Sequence, residues 1–445
     1  MKQITRYKIL LSILTGIILL LLSSLYLNKN HYHYFAKSTS LQIFENPYLH
    51  YLIVLTISSI LFLGIVAILR NVKIENSFVF KLLALAVLMR IILIPIFPAG
   101  SDDVFRYIWD GKQIAHGINP YQFTPSDSAL VSLHSDLLPK MVNFQNMKTI
   151  YPPVSQLMFL LGYLIGGESY IGFKIVLFFF EIATLFLLFL ILRELKIEIK
   201  YILVYALSPL ALSQFMIDAH LDALGFPLIL LFVYFYIKKK ENFSAIALGI
   251  SISIKIVSVI LVPLLLKNFF KFRYYWLVII PIFTFALTYI PFISPSVFPF
   301  EALTKFAEHW YFNGVVFTIF YELTLNNQNA RIICLILFVG IYTLIFFSKK
   351  SFIEKTYLIF FSFFILAPTV HPWYLGWFAI LLPFHFRWSG VVWTASVSLA
   401  FYAIFNSKTF GEWHLPNIFL LIQYLPVGIL FIYEMFFSRK QKVIL

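Results

Sequence analysis

The chain has 445 residues and a formal charge of +14, yet only 12% of its residues are charged while 61% are hydrophobic. An ordinary soluble domain carries roughly 25% charged residues, so this balance excludes a soluble globular protein and a disordered one, and describes a chain whose main solvent is lipid. The positive excess does not point to nucleic acid, because Lys and Arg fall in short clusters between apolar runs, and the single cysteine, Cys334, excludes an intramolecular disulfide framework or a cysteine metal cluster.

The first apolar run, 8–27, follows Lys2, Arg6 and Lys8, and its length without a small-residue cleavage pattern favours a retained anchor over a signal peptide. Runs of bilayer-crossing length follow at 49–70, 79–97, 171–193, 201–217, 220–237, 274–292, 330–348 and 415–436, with shorter ones at 356–369, 373–386 and 389–405. Basic clusters mark the cytoplasmic side: Lys2/Arg6/Lys8, Arg70/Lys73/Lys81, Arg193/Lys196/Lys200, Lys238–Lys240, Lys267/Lys271/Arg273, Lys349/Lys350 and Arg439/Lys440/Lys442. Between Lys240 and Lys267 both flanks are of inside type, so the number of crossings there is even. The stretch reads as a hairpin of two half-length helices, 243–254 and 256–266, with Lys255 near its outer tip. The segment 151–167 is expected to lie along the membrane surface. The fold expected is an all-α, polytopic transmembrane bundle of roughly 12–14 spans with both termini cytoplasmic. It forms one integral-membrane domain over 1–445, in which 98–170 is an extracytoplasmic loop with interfacial helices and 293–329 a second outer loop.

Polar groups gather at the ends of these runs. Ser101-Asp102-Asp103-Val104-Phe105-Arg106-Tyr107-Ile108-Trp109-Asp110-Gly111 follows 79–97, and on a helix Asp102, Arg106, Trp109 and Asp110 share one face. A cap with Ser101 leading and acids in the first turn explains the carboxylates but not Arg106, Trp109 and Asp110. Asp218-Ala219-His220-Leu221-Asp222 lies at an outer turn, where ionisable groups in apolar sequence mark either function or a wet interfacial turn. No further His or Cys stands at ligand spacing from His220 and Asp222. Zinc is therefore not indicated, and a divalent ion shared with Asp102 or Asp103 has no support from sequence. His371-Pro372-Trp373-Tyr374, with Trp377 close behind, reads as an interfacial aromatic belt or as a histidine and rings suited to a sugar or phosphate. Lys255 offers a cation to an anion at the membrane surface, or snorkels. Glu181, mid-run, is assigned to helix-to-helix hydrogen bonding, and Glu301, Glu308 and His309 are too dispersed to form a site. The four stronger candidates fall on one side of a topology drawn from positive charge alone. Their content fits a reaction on an amphiphilic, anionic, lipid-linked substrate, while Walker A and Rossmann glycine patterns are absent.

In chain order, several motifs carry a resemblance: Asp102-Asp103 in SDDVFRYIWDG, Asn119-Pro120-Tyr121, Tyr151-Pro152-Pro153, Leu207-Ser208-Pro209 before His220-Leu221-Asp222-Ala223-Leu224, the Lys255 hairpin preceding Pro263, and His371-Pro372-Trp373. Over most of residues 80–380 the chain resembles integral-membrane glycosyltransferases of the GT-C superfamily, closest to the bacterial polyprenol-phosphate mannosyltransferase-like branch. The resemblance implies transfer of a mannose-like hexose from a polyprenyl-phosphate sugar to a hydroxyl of a glycan, lipid or protein outside the cytoplasmic membrane, normally with inversion. On that reading Asp102 or Asp103 is the general base, with Asp102 favoured. Arg106, His220, Asp222, Lys255 and His371 contact the donor phosphate or sugar. Tyr107, Trp109, Asp110, Tyr151, Trp373 and Tyr374 form an aromatic and supporting set. No cofactor is called for, and the partners are the lipid donor, the acceptor and membrane lipid. A flippase for a lipid-linked sugar competes, but it would place ionisable residues nearer the bilayer midplane and often carry a repeat. A ligase moving a whole lipid-linked glycan is a third reading.

Overall fold

The computed structural model describes residues 2–27, 40–43, 45–266, 272–295 and 297–437; Lys267, Lys271 and the Arg439/Lys440/Lys442 cluster lie outside the described residues. The described residues are helical, with isolated bridges pairing Phe312 and Asn313 with Thr369 as the one β feature among them. Among the described residues eight helices are long and apolar enough to cross a membrane: Thr5–Leu27, Pro47–Asn71, Asn76–Leu93, Tyr170–Glu194, Tyr274–Phe292, Asn327–Phe347, Trp388–Phe410 and Asn417–Phe436. A ninth counts if Ile199–Ala206 and Pro209–Ile217, bent by 48°, are taken as one span. The protein is therefore an all-α, multi-pass membrane bundle.

Local chemistry sets these boundaries. Asn46 caps the Pro47–Asn71 helix by accepting from the amides of Tyr48 and Leu49 at 3.1 Å each, and Pro47 fills the first turn, where no amide partner is needed. Run 201–217 is broken at Ser208-Pro209, because proline removes a helical donor and disfavours helix in the residue before it. The hydropathy count of roughly 12–14 included runs that fold as shorter helices. Run 220–237 becomes Asp222–Ile237 and 356–369 becomes Phe352–Leu366, while 151–167, expected along the membrane surface and not as a span, is the helix Pro153–Gly166. Run 373–386 is irregular: one turn at Pro372–Leu375, one at Gly376–Ala379, then turns, mostly buried by surrounding helices. Such backbone is tolerated at membrane depth only when protein encloses it. The hairpin has its expected form, with Glu241–Ile252 and the 3-10 helix Ile256–Leu265 flanking Lys255.

Two packing features carry the site. Glu181 accepts from Arg90 Nε at 3.1 Å and from Tyr205 at 2.5 Å, and Arg90 also reaches the Ala206 carbonyl at 2.9 Å. The fully buried pair thus clamps Asn76–Leu93, Tyr170–Glu194 and the bent span together, the helix-to-helix role expected of Glu181. The Asp103–Ala115 helix packs on Pro153–Gly166, which packs in turn on Tyr170–Glu194. Gly111 makes the first contact close: a Cβ there would stand 2.3 Å from the Phe159 carbonyl oxygen. This explains a glycine at the end of the WDG motif.

Candidate active site

The Asp103–Ala115 helix begins at the floor of a cavity of about 1130 Å³. Asp102 takes the N-cap position without making a side-chain cap bond, while the Asp103 amide donates to Ser101 Oγ at 3.2 Å. The two carboxylates turn instead to Asn143, whose Nδ2 donates to Asp102 Oδ1 at 3.0 Å and to Asp103 Oδ1 at 2.7 Å. Capping therefore does not account for these acids. Asn143 was missed from sequence: it lies in a polar loop 40 residues from Asp103, with no pattern to single it out.

Burial raises both carboxyls. Asp103, further raised by the neighbouring Asp102 charge, is pushed up to about 7. The Asp102 carboxyl is raised by burial and drawn back by Lys408 and Asn143. Asp103 remains about one-fifth exposed to the cavity, and its Oδ2 stands 3.6 Å from His220 Nδ1.

Lys255 enters the same cavity. The amides of Val154 and Ser155 donate to the Ser253 carbonyl at 3.1 and 3.3 Å, and Ser155 Oγ donates to the Ile254 carbonyl at 2.8 Å. The Tyr151-Pro152-Pro153 helix start thereby fixes the backbone that carries Lys255. The ammonium donates to Asp222 Oδ1 at 2.7 Å and lies 3.8 Å from the centre of the Tyr374 ring. Trp377 Nε1 donates to the same Asp222 oxygen at 2.6 Å, and Asp222 Oδ2 is buried with no hydrogen-bond partner. Asp222 thus holds Lys255 by one donor where its side chain lines the cavity.

The loop leading into the acids is held from behind. Asp218 accepts from the Gly100 amide at 2.8 Å, from Gln214 at 3.2 Å and from the Tyr51 hydroxyl. A Cβ on Gly100 would stand 2.5 Å from Asp218 Oδ2 and 2.7 Å from Phe401. Gly100→Ala is therefore expected to cost about 1–3 kcal/mol through overpacking and to displace Asp102 and Asp103; thermal unfolding of the detergent-solubilised protein would measure the first effect.

Of the residues expected at the site, Asp102, Asp103, Arg106, Tyr107, Tyr151, Asp222, Lys255, His371, Trp373 and Tyr374 all line this cavity. Three lie behind its wall. Trp109 is fully buried, edge-on to His134, so it packs the core. Asp110 accepts from Arg106 Nε at 2.8 Å and from Gln156 at 3.1 Å. His220 is buried, stacked on Trp373 at 3.5 Å between ring centres.

Two further roles are narrowed by contacts. The Arg106 guanidinium is engaged by Asp110 and by the Met147 carbonyl at 2.8 Å, so it ties down the loop that carries Asn143. His371 is stacked on Trp373 at 4.4 Å and on Phe312 at 5.0 Å, and burial drops its pKa to about 3, so the ring is neutral at physiological pH. Burial and Lys255 likewise keep His220 well below the usual range.

Sequence reading left Glu301 and His309 outside any site. In the fold Glu301 accepts from Lys148 at 3.1 Å and from Lys305 at 3.0 Å, joining the 98–170 and 293–329 segments, and His309 lines the cavity. Asn119, from the Asn119-Pro120-Tyr121 motif, ties the first segment to the end of the Tyr274–Phe292 helix by donating to the Phe292 carbonyl at 2.9 Å. No three His, Cys, Asp or Glu side chains converge to hold a metal among the described residues.

Comparison with known families identifies the class of this multi-pass helical bundle. Residues 12–270 match the MptA_B family, described as alpha-(1->6)-mannopyranosyltransferase, N-terminal domain. The match spans more than half of the chain, and the chain belongs to this family of GT-C mannosyltransferases. No curated protein matches it.

Proposed function

We infer that the protein transfers mannose from a polyprenyl-phosphate mannose to an acceptor hydroxyl, with inversion, at the extracytoplasmic face of the cytoplasmic membrane. The observation that carries this reading is the convergence of Asp103, held near neutrality, and Lys255, anchored on Asp222, in one cavity. A carboxyl with a pKa near 7 is suited to accept a proton at neutral pH. In the reaction the acceptor oxygen bonds to the anomeric carbon as its proton passes to Asp103. The carbon–oxygen bond to phosphate breaks, and the electron pair leaves on the polyprenyl phosphate. Lys255 meets the charge that develops there.

Beside Lys255 the wall turns apolar through Ile256, Val257, Val259, Ile260, Phe363 and Phe364. That suits a prenyl chain entering from the bilayer while its charged head stays at the interface. Asp103 becomes the favoured base over Asp102, because its carboxyl is raised to about 7 and faces the cavity. The distribution of basic clusters in the sequence supports a cavity on the extracytoplasmic side with both termini in the cytoplasm. The whole chain acts as one membrane unit, with 98–170 and 293–329 both closing the site.

The test is label transfer by purified protein in nanodiscs from a panel of radiolabelled polyprenyl-phosphate hexoses to crude acceptor lipids. Transfer from the mannosyl donor alone is the expected result. Labelled lipid that crosses the membrane without being consumed would replace this reading with the flippase.

A further inference from the structure

One end of the cavity is left unexplained by the transfer chemistry. It is walled by Phe144, Phe306, Trp310 and Trp413, drawn from three distant parts of the chain. Phe144 directly follows Asn143, the residue that holds both carboxylates, and it carries a left-handed backbone with φ 47°. Bulky residues rarely adopt that conformation, and where it persists it is often tied to function. Its ring is half exposed and stands edge-on to Trp310 at 5.7 Å. Trp310 stacks on Phe306 at 6.1 Å and leans on Trp413 at 6.4 Å, and Trp413 is 48% exposed. Trp310 Nε1 donates to His371 Nε2 at 3.4 Å, joining these rings to the wall near Lys255.

The charged groups at this end are already engaged. Lys148 and Lys305 both pair with Glu301. Arg331 donates to the carbonyls of Ala307 at 2.6 Å and Trp310 at 2.7 Å. The charge of Lys408 acts on Asp102. A site for a phosphate would present cations ready to bind it, whereas this end presents ring faces and satisfied polar groups. Pockets of largely aromatic wall with a few polar groups at the rim suit neutral, amphipathic ligands, and a sugar offers apolar C–H faces to rings and hydroxyls to the rim.

Resting on the transferase reading above, we propose that Phe144, Trp310 and Trp413 form the acceptor subsite, and that the acceptor is a neutral glycan chain stacked on these rings with its terminal hydroxyl directed to Asp103. The donor phosphate and the acceptor are then sorted by chemistry, the first to Lys255 and the apolar wall, the second to the aromatic end.

The experiment titrates a short octyl α-mannooligosaccharide, and separately its phosphorylated counterpart, into the intact protein in nanodiscs without donor, reading tryptophan fluorescence. Acceptor KM is then measured with polyprenyl-phosphate mannose. Wild type is expected to give a saturable change with the neutral oligosaccharide. Trp413→Ala and Phe144→Ala should weaken that binding and raise acceptor KM about tenfold, and Trp413→Phe should recover most of both. Trp276→Ala removes an exposed tryptophan outside the cavity and should match wild type. No binding of the neutral chain by wild type, tighter binding of the phosphorylated one, or an unchanged acceptor KM in Trp413→Ala would overturn the proposal. Saturable oligosaccharide binding without any transfer would instead sink the transferase reading and leave a glycan-binding site.

Discussion

Asp103→Asn is expected to lower mannosyl transfer by about 10²–10⁴-fold, the usual range for loss of a positioned general base, while the protein still folds. The carboxamide keeps the shape and can still meet Asn143, but it cannot take the acceptor proton. The wild-type pH profile should carry the same signature. Because the Asp103 carboxyl is raised to about 7, mainly by burial and then by Asp102, the rate rises with pH and reaches half its plateau near pH 7. Below that pH the carboxyl is protonated and transfer is lost. Asp102→Asn removes a negative neighbour that raises Asp103, so its midpoint should move down. Asn143→Ala removes a hydrogen bond that favours the charged form, so its midpoint should move up. Rate against pH for the four proteins checks all of this together. An Asp103→Asn enzyme that keeps wild-type transfer while Asp102→Asn loses it would move the base to Asp102.

The second large effect is at Lys255. Lys255→Met is expected to reduce kcat/KM for the lipid donor by about 10²–10³-fold, comparable to removing one group that stabilises a developing anion. It also leaves Asp222 buried with Trp377 as its one remaining partner, on a carboxylate whose second oxygen is already unpartnered. Breaking a buried pair in this way typically costs about 3–5 kcal/mol. The double variant Lys255→Met/Asp222→Asn separates the two consequences. Removing the stranded charge should restore most of the thermal stability and none of the transfer. If the double variant regains activity as well, Lys255 acts only by supporting the fold.

Contacts among the segments that flank the cavity brace its acids. Residues 98–170 and 293–329 are bound to each other through Glu301 with Lys148, and Asn119 ties the first to the end of the Tyr274–Phe292 helix through the Phe292 carbonyl. The first is bound to the bundle where the Gly100 amide donates to Asp218 at 2.8 Å and Ser155 Oγ donates to the Ile254 carbonyl at 2.8 Å, and it is braced internally by Lys112, which reaches Glu168 at 2.6 Å. The acids are therefore held by a braced structure rather than by a mobile loop, which suits a site that must keep reacting atoms aligned.

Much of this was legible before folding was considered. Hydropathy and charge report which solvent each segment meets, so composition alone identified a membrane protein, and the long runs at 49–70, 171–193 and 415–436 became spanning helices. Ionisable groups in apolar surroundings are costly and few, so Asp102, Asp103, Asp222, Lys255 and His371 stood out as soon as the sequence was read, and all of them line one cavity. The tertiary structure alone decided what each group does there. Asn143 and Trp413 sit in segments of ordinary polar or aromatic composition, and their importance comes from contacts across many residues of chain. Trp109 and Asp110 share a helix face with Asp102, yet packing on Pro153–Gly166 turns them into the core. Spacing along one helix gives a side chain its direction. Whether that direction ends in a cavity, an ion pair or a hydrophobic core depends on which distant segment closes over it.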